Sequence, residues 1–82
     1  MTWKDVHVGV EGDVVQIGGF KVWDMEWRRV QEEPIELPHP AHASEMHPFW
    51  VYDIGPADKP VRFAATELSP SVWGFYVPKA AS

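Results

Sequence analysis

The sequence predicts an all-β antiparallel fold, and three observations carry that expectation. In 4–12, Val6, Val8 and Val10 alternate with Asp5, His7, Gly9 and Glu11. Successive side chains of a strand point to opposite faces, and β-branched residues suit its pleated surface. The runs FWVYDI (49–54) and VWGFYV (72–77) are dense in aromatic and β-branched residues. Short clusters rich in Gly, Pro, Asp and Ser at 11–13, 55–60 and 69–71 supply turn chemistry between such runs.

The elements follow in chain order. Residues 4–12 predict a half-buried strand with its valines inward, and Glu11-Gly12-Asp13 a tight turn. Val14–Ile17 is then expected to return as the second strand of a hairpin. Gly18-Gly19 ends that strand or bends it into the next.

FKVWDMEWRRV, 20–30, fits two patterns. A strand puts Trp23, Met25 and Trp27 on one face and Asp24, Glu26 and Arg28 on the other. A helix puts Phe20, Trp23, Trp27 and Val30 in one stripe. Two glycines precede the segment in place of an N-cap, and it holds neither Ala nor Leu, so the strand is preferred.

Residues 31–48 change character. Pro34, Pro38, Pro40 and Pro48 each fix φ and remove an amide donor, which predicts a long Pro/His-rich loop. Within it, Ile35–Leu37 can make a short edge strand and Ala41–Met46 one helical turn. Beyond the loop, 49–54, 61–66 and 72–77 are expected strands, and 79–82 a flexible tail. At 82 residues this is a single domain, 1–82. Its expected form is a strongly bent sheet, resembling an SH3-like barrel, or a small open sandwich.

Composition narrows the function classes. The net charge is −5, and of seven basic residues only Arg28 and Arg29 are adjacent. Nucleic-acid binding needs clustered Lys and Arg, so no nucleic-acid partner is expected. No apolar run approaches the roughly 20 residues that span a bilayer, so no membrane partner is expected either. Cysteine is absent, and no leader-like stretch opens the chain, which points to a cytoplasmic location.

Three constellations could carry chemistry. His39, His42 and His47 form H-x2-H-x4-H beside Glu36 and Glu45. Zinc accepts imidazole and carboxylate at about 2.0–2.2 Å, so these are the candidate metal ligands. Pro38 and Pro40 hold His39 extended, however, and a polar loop without a cofactor is the preferred reading. Asp24 and Glu26 would stand about 7 Å apart on one strand face. A chain this small leaves little wall for the cleft that paired-carboxylate chemistry requires. Ser44, Ser69, Ser71 and Ser82 lie in turns, loop or tail, and no G-x-S-x-G stretch accompanies them. No enzyme is expected.

The aromatic content remains. Five Trp, four Phe and two Tyr are more ring surface than one face of so small a sheet hides. Trp23, Trp27, Trp50 and Trp73, with Arg28, are therefore the candidate interface residues. The expected function is a non-catalytic protein-interaction or structural module that self-associates through aromatic surface. Its partner would be a second copy or another protein. The alternatives are a zinc protein built on the histidines and a carbohydrate-binding module built on the tryptophans.

Overall fold

The computed structural model describes residues 3–78, apart from the side chain of Asp5. The chain forms β1 (Trp3–Val10), β2 (Gln16–Ile17), β3 (Phe20–Lys21), a 3-10 turn (Val22–Asp24), β4 (Arg28–Arg29), β5 (Ile35–His39), β6 (His42–Ile54), β7 (Val61–Ser69) and β8 (Val72–Pro78). It is nearly all β, every pairing is antiparallel, and no α-helix occurs among the described residues. Among the described residues no helix is long and apolar enough to cross a membrane.

Hydrogen bonding orders the main sheet β1-β8-β7-β6-β4, and β5 joins β6 along the stretch that β4 leaves free. The ladder does not close between β1 and the far edge among the described residues. The expected hairpin between the first two strands does not form. β1 pairs with β8 instead, Val8 opposite Gly74 and Val10 opposite Val72. The turn at 11–13 is real: Asp13 N–H donates to Val10 O at 2.9 Å and Gly12 has φ +90°. It carries the chain over one face of the sheet rather than back along β1.

That face is covered by residues 15–27. Ile17, Val22, Ile54, Phe63, Ala65 and Phe75 are its buried centre, and Val15, Phe20, Trp23, Met25, Trp27, Tyr52 and Trp73 pack around them. The expected partition of 20–30 holds, with Trp23, Met25 and Trp27 turned inward and Asp24, Glu26 and Arg28 exposed. The backbone is not the expected continuous strand. It pairs at Phe20–Lys21 and again at Arg28–Arg29, makes the 3-10 turn between them, and is fixed by the Trp27 indole N–H donating to Val22 O at 2.6 Å. The indole thus satisfies a carbonyl that no ladder reaches.

The opposite face holds Phe49, Val51, Ala64 and Tyr76, with Trp3, Ile35, Leu37 and Leu68 packed on them. Phe49, Phe63 and Phe75 have no solvent exposure, and burying each ring contributes about 1.5–3 kcal/mol. Two covered faces explain why β7 and β8 carry apolar residues at consecutive positions.

The segment expected to be a loop, 31–48, contains a hairpin, and its expected helical turn at 41–46 is the start of β6. Ile35 lies opposite Phe49 and Pro38 opposite Met46, with the chain reversing at Pro40-Ala41. The prolines are tolerated because β5 has one neighbour, and Pro48 precedes the part of β6 that pairs with β7. Tyr76 O–H donates to Pro38 O at 2.6 Å, and Pro40 closes over Gly74, where a Cβ would stand 3.4 Å from its Cγ. These contacts tie the hairpin to the sheet. The expected tail, 79–82, lies outside the described residues.

Candidate binding surfaces

The four candidate tryptophans separate into two groups. Trp27 contacts Trp23, Tyr52, Phe63, Trp73 and Phe75 at centroid distances of 5.0–5.9 Å. Trp23 adds Trp73 at 5.4 Å and Phe75 at 6.0 Å. Three of the four therefore belong to one aromatic layer against the buried centre. Trp50 belongs to neither buried cluster.

Trp50 lines an open groove of about 390 Å³ together with Arg29, His47, Tyr52, Glu67 and Trp73. Sequence reasoning passed over Arg29 in favour of its neighbour. The Arg29 guanidinium lies over Trp50 and Tyr52, and it donates to Tyr52 Oη at 3.3 Å. Arg28, the residue chosen from sequence, donates instead to Gly55 O at 2.9 Å, away from the groove. At the other end, Trp73 N–H donates to Glu11 Oε1 at 3.0 Å, and Glu67 Oε2 accepts from Ser71 N–H at 3.1 Å.

The second surface is aliphatic. Every described Trp, Phe and Tyr is buried or half-buried, whereas Val6, Val8 and Val10 are 41%, 56% and 50% exposed. The valines expected to face inward thus lie on the open side of β1. They stand on the face of Tyr76 and Gly74, their β8 neighbours. An apolar groove of about 310 Å³ adjoins them, lined by Val8, Pro40, Ala41, Leu68 and Val72. Among the described residues no strand pairs with the outer edge of β1. Val10 N–H donates to Asp13 Oδ2 at 3.2 Å and Val10 O accepts from Asp13 N–H, which caps that end, and the stretch around Val6 and Val8 is open to a further strand.

The histidines do come together. His39 lies 5.1 Å from His42 and 5.6 Å from His47, centroid to centroid. One ring nitrogen of His39 and one of His47 are engaged with backbone. His39 Nδ1 accepts from Ala41 N–H at 3.0 Å, which puts its own ring proton on Nε2, and His47 Nδ1–H donates to Pro48 O at 3.0 Å. Among the described residues no group of three or more His, Cys, Asp or Glu is placed to hold a metal ion.

The main ion pair is structural in position. Arg62 and Asp53 face each other across β7 and β6 in a two-pronged contact at 2.8 and 3.1 Å. The hydrogen bond to Asp53 holds the Arg62 guanidinium above its ordinary pKa, against the opposing effect of desolvation. Burial raises the Tyr76 phenol above its ordinary value of 10.0. Comparison with protein-family models, curated proteins and solved structures gave no significant match.

Proposed function

We propose that this chain is a non-catalytic protein-interaction module that associates with a second copy of itself along the outer edge of β1. The observation that carries this reading is the exposed valine stripe, Val6, Val8 and Val10, on a strand whose outer edge has no neighbouring strand among the described residues. A long apolar edge of this kind templates a further strand, and main-chain pairing supplies the affinity.

Antiparallel pairing of two β1 edges is isologous and closes at two copies. Its two-fold axis runs perpendicular to the sheet, so both valine stripes stay on the same face and flank one another across the seam. Contact along one strand is small, which favours a dissociation constant on the order of 10–100 µM rather than a permanent dimer. The aromatic surface expected to make the contact serves chiefly as core, which is why the proposed contact is aliphatic.

Two finer proposals accompany this one. Apolar layers on both faces of the sheet support a strongly bent, SH3-like arrangement. The absence of cysteine supports a reducing, cytoplasmic setting.

The test is sedimentation equilibrium from about 10 µM to about 1 mM. The wild-type mass is expected to rise with concentration from 9.3 kDa toward twice that value. Val8→Lys, at a position outside both buried clusters, is expected to stay monomeric with an unchanged melting temperature. A wild-type chain that is monomeric throughout, or a Val8→Lys chain that associates equally well, contradicts the proposal.

A further inference from the structure

The groove around Trp50 lies on the face opposite the valine stripe, so an occupant there would not compete with a second copy on β1. We infer that this groove binds an extended, proline-rich peptide with a basic residue at one end.

The first argument is the state of Trp50. A half-buried tryptophan usually contributes to a core, but this ring joins neither buried cluster. It presents apolar area in a groove whose other aromatic walls, Tyr52 and Trp73, are held rigid by the packed layer behind them. Rigid aromatic area in a groove is the usual energetic centre of a binding site.

The second argument is which polar groups are already engaged. Arg29 donates to Tyr52, Glu67 accepts from Ser71, and the Trp73 N–H is given to Glu11. A sugar needs many convergent donors and acceptors around its stacking face. Here Pro48, Trp50, Tyr52, Ala65 and Trp73 supply apolar wall, and Arg29, His47, Thr66 and Glu67 the polar groups, which suits a ligand that docks by apolar contact with a few polar anchors. A polyproline II segment is such a ligand, because it has no internal hydrogen bonds and is already ordered before binding.

Charge sets the direction. Glu67 and Glu11 lie at the Trp73 end and Arg29 at the Trp50 end. A basic side chain of the ligand is placed at the glutamates, and a ligand carbonyl can accept from the remaining Arg29 donors. The net charge of −5 favours the same basic ligand.

The test uses the full chain carrying Val8→Lys, so that self-association does not enter. The probe is an oligoproline peptide with arginines at one end, followed by tryptophan fluorescence and amide chemical shifts. Saturable binding is expected, with the largest shifts at Trp50, Tyr52 and Trp73. Trp50→Ala is expected to weaken it at least tenfold. Glu67→Gln, which keeps an acceptor for Ser71, is expected to weaken the arginine-bearing peptide several-fold and leave an uncharged oligoproline unchanged. Equal binding of a Gly/Ser peptide of the same charge would show a purely electrostatic contact and overturn the proposal. So would the absence of saturable shifts, or saturable binding of an oligosaccharide at Trp50 in place of the peptide.

Discussion

The guanidinium carbon of Arg29 stands 5.8 Å from the Trp50 ring centroid and 5.7 Å from that of Tyr52. One cation on the short strand β4 thus spans two aromatic residues of β6. Arg29 is exposed, and a cation–π contact at an exposed site contributes about 0.5–1 kcal/mol. Arg29→Ala is therefore expected to lower the urea-unfolding free energy by no more than about 1 kcal/mol. It should shift tryptophan emission nonetheless, because Trp50 loses the charge above it. A loss of several kcal/mol would mean that Arg29 supports the fold rather than the groove.

Trp27 and Trp50 predict opposite outcomes for the same substitution. Trp27→Ala removes a ring packed against five aromatic neighbours and the N–H that satisfies Val22 O. Deletions of that kind cost about 3–5 kcal/mol, a large share of the 5–15 kcal/mol typical of a domain. Trp50→Ala removes a ring outside both clusters and is expected to cost about 1 kcal/mol or less. Urea melts of the two variants check the contrast, and similar losses would contradict the assignment of Trp50 to a surface groove.

Gly18 and Gly19 separate in the same way. Both have positive φ, +59° and +85°, a conformation that costs a residue with a side chain about 1 kcal/mol or more. A Cβ at Gly18 would also stand 2.8 Å from Val61 Cγ1, whereas one at Gly19 meets nothing within 4 Å. Gly18→Ala is expected to depress the melting temperature clearly more than Gly19→Ala. Equal depression would mean that the approach of the β2–β3 turn to Val61 is looser than described.

Tyr76 predicts an alkaline limit. Burial raises its pKa above 10.0, and its neutral O–H donates to Pro38 O. The stabilisation from this raised pKa is fully present below the unfolded value. It is lost as pH climbs from that value through the higher folded one. Unfolding free energy is therefore expected to fall above about pH 10, and the fall should be shallower in Tyr76→Phe. At neutral pH the same variant loses the bond to Pro38, a cost of about 1 kcal/mol. Parallel pH profiles for the two proteins would contradict this role.

The sequence made the strands around 49–54, 61–66 and 72–77 legible because their β-formers are contiguous and short turns join them. The stripe at Val6, Val8 and Val10 was equally visible, but its burial was not. Period two says which residues share a face, while the exposure of that face depends on β1 pairing with β8, some sixty residues away. In 31–48 the prolines argued against strands, yet an edge strand tolerates a missing N–H on its open side. The four tryptophans looked alike in sequence. What separates Trp50 from the others is how far residues 15–27 extend over the sheet, which local pattern does not encode. The three histidines are close in sequence, but their meeting in space and the backbone bonds to His39 and His47 follow from a hairpin that sequence did not predict.

The most direct test of edge-to-edge association is an isotope-filtered NOE experiment on a mixture of labelled and unlabelled chains at high concentration. The expected result is contact between copies among the methyl groups of Val6, Val8 and Val10. Inter-chain contacts that map to Trp50 and Tyr52 instead, or none at all in a sample shown to be dimeric, would contradict pairing through β1.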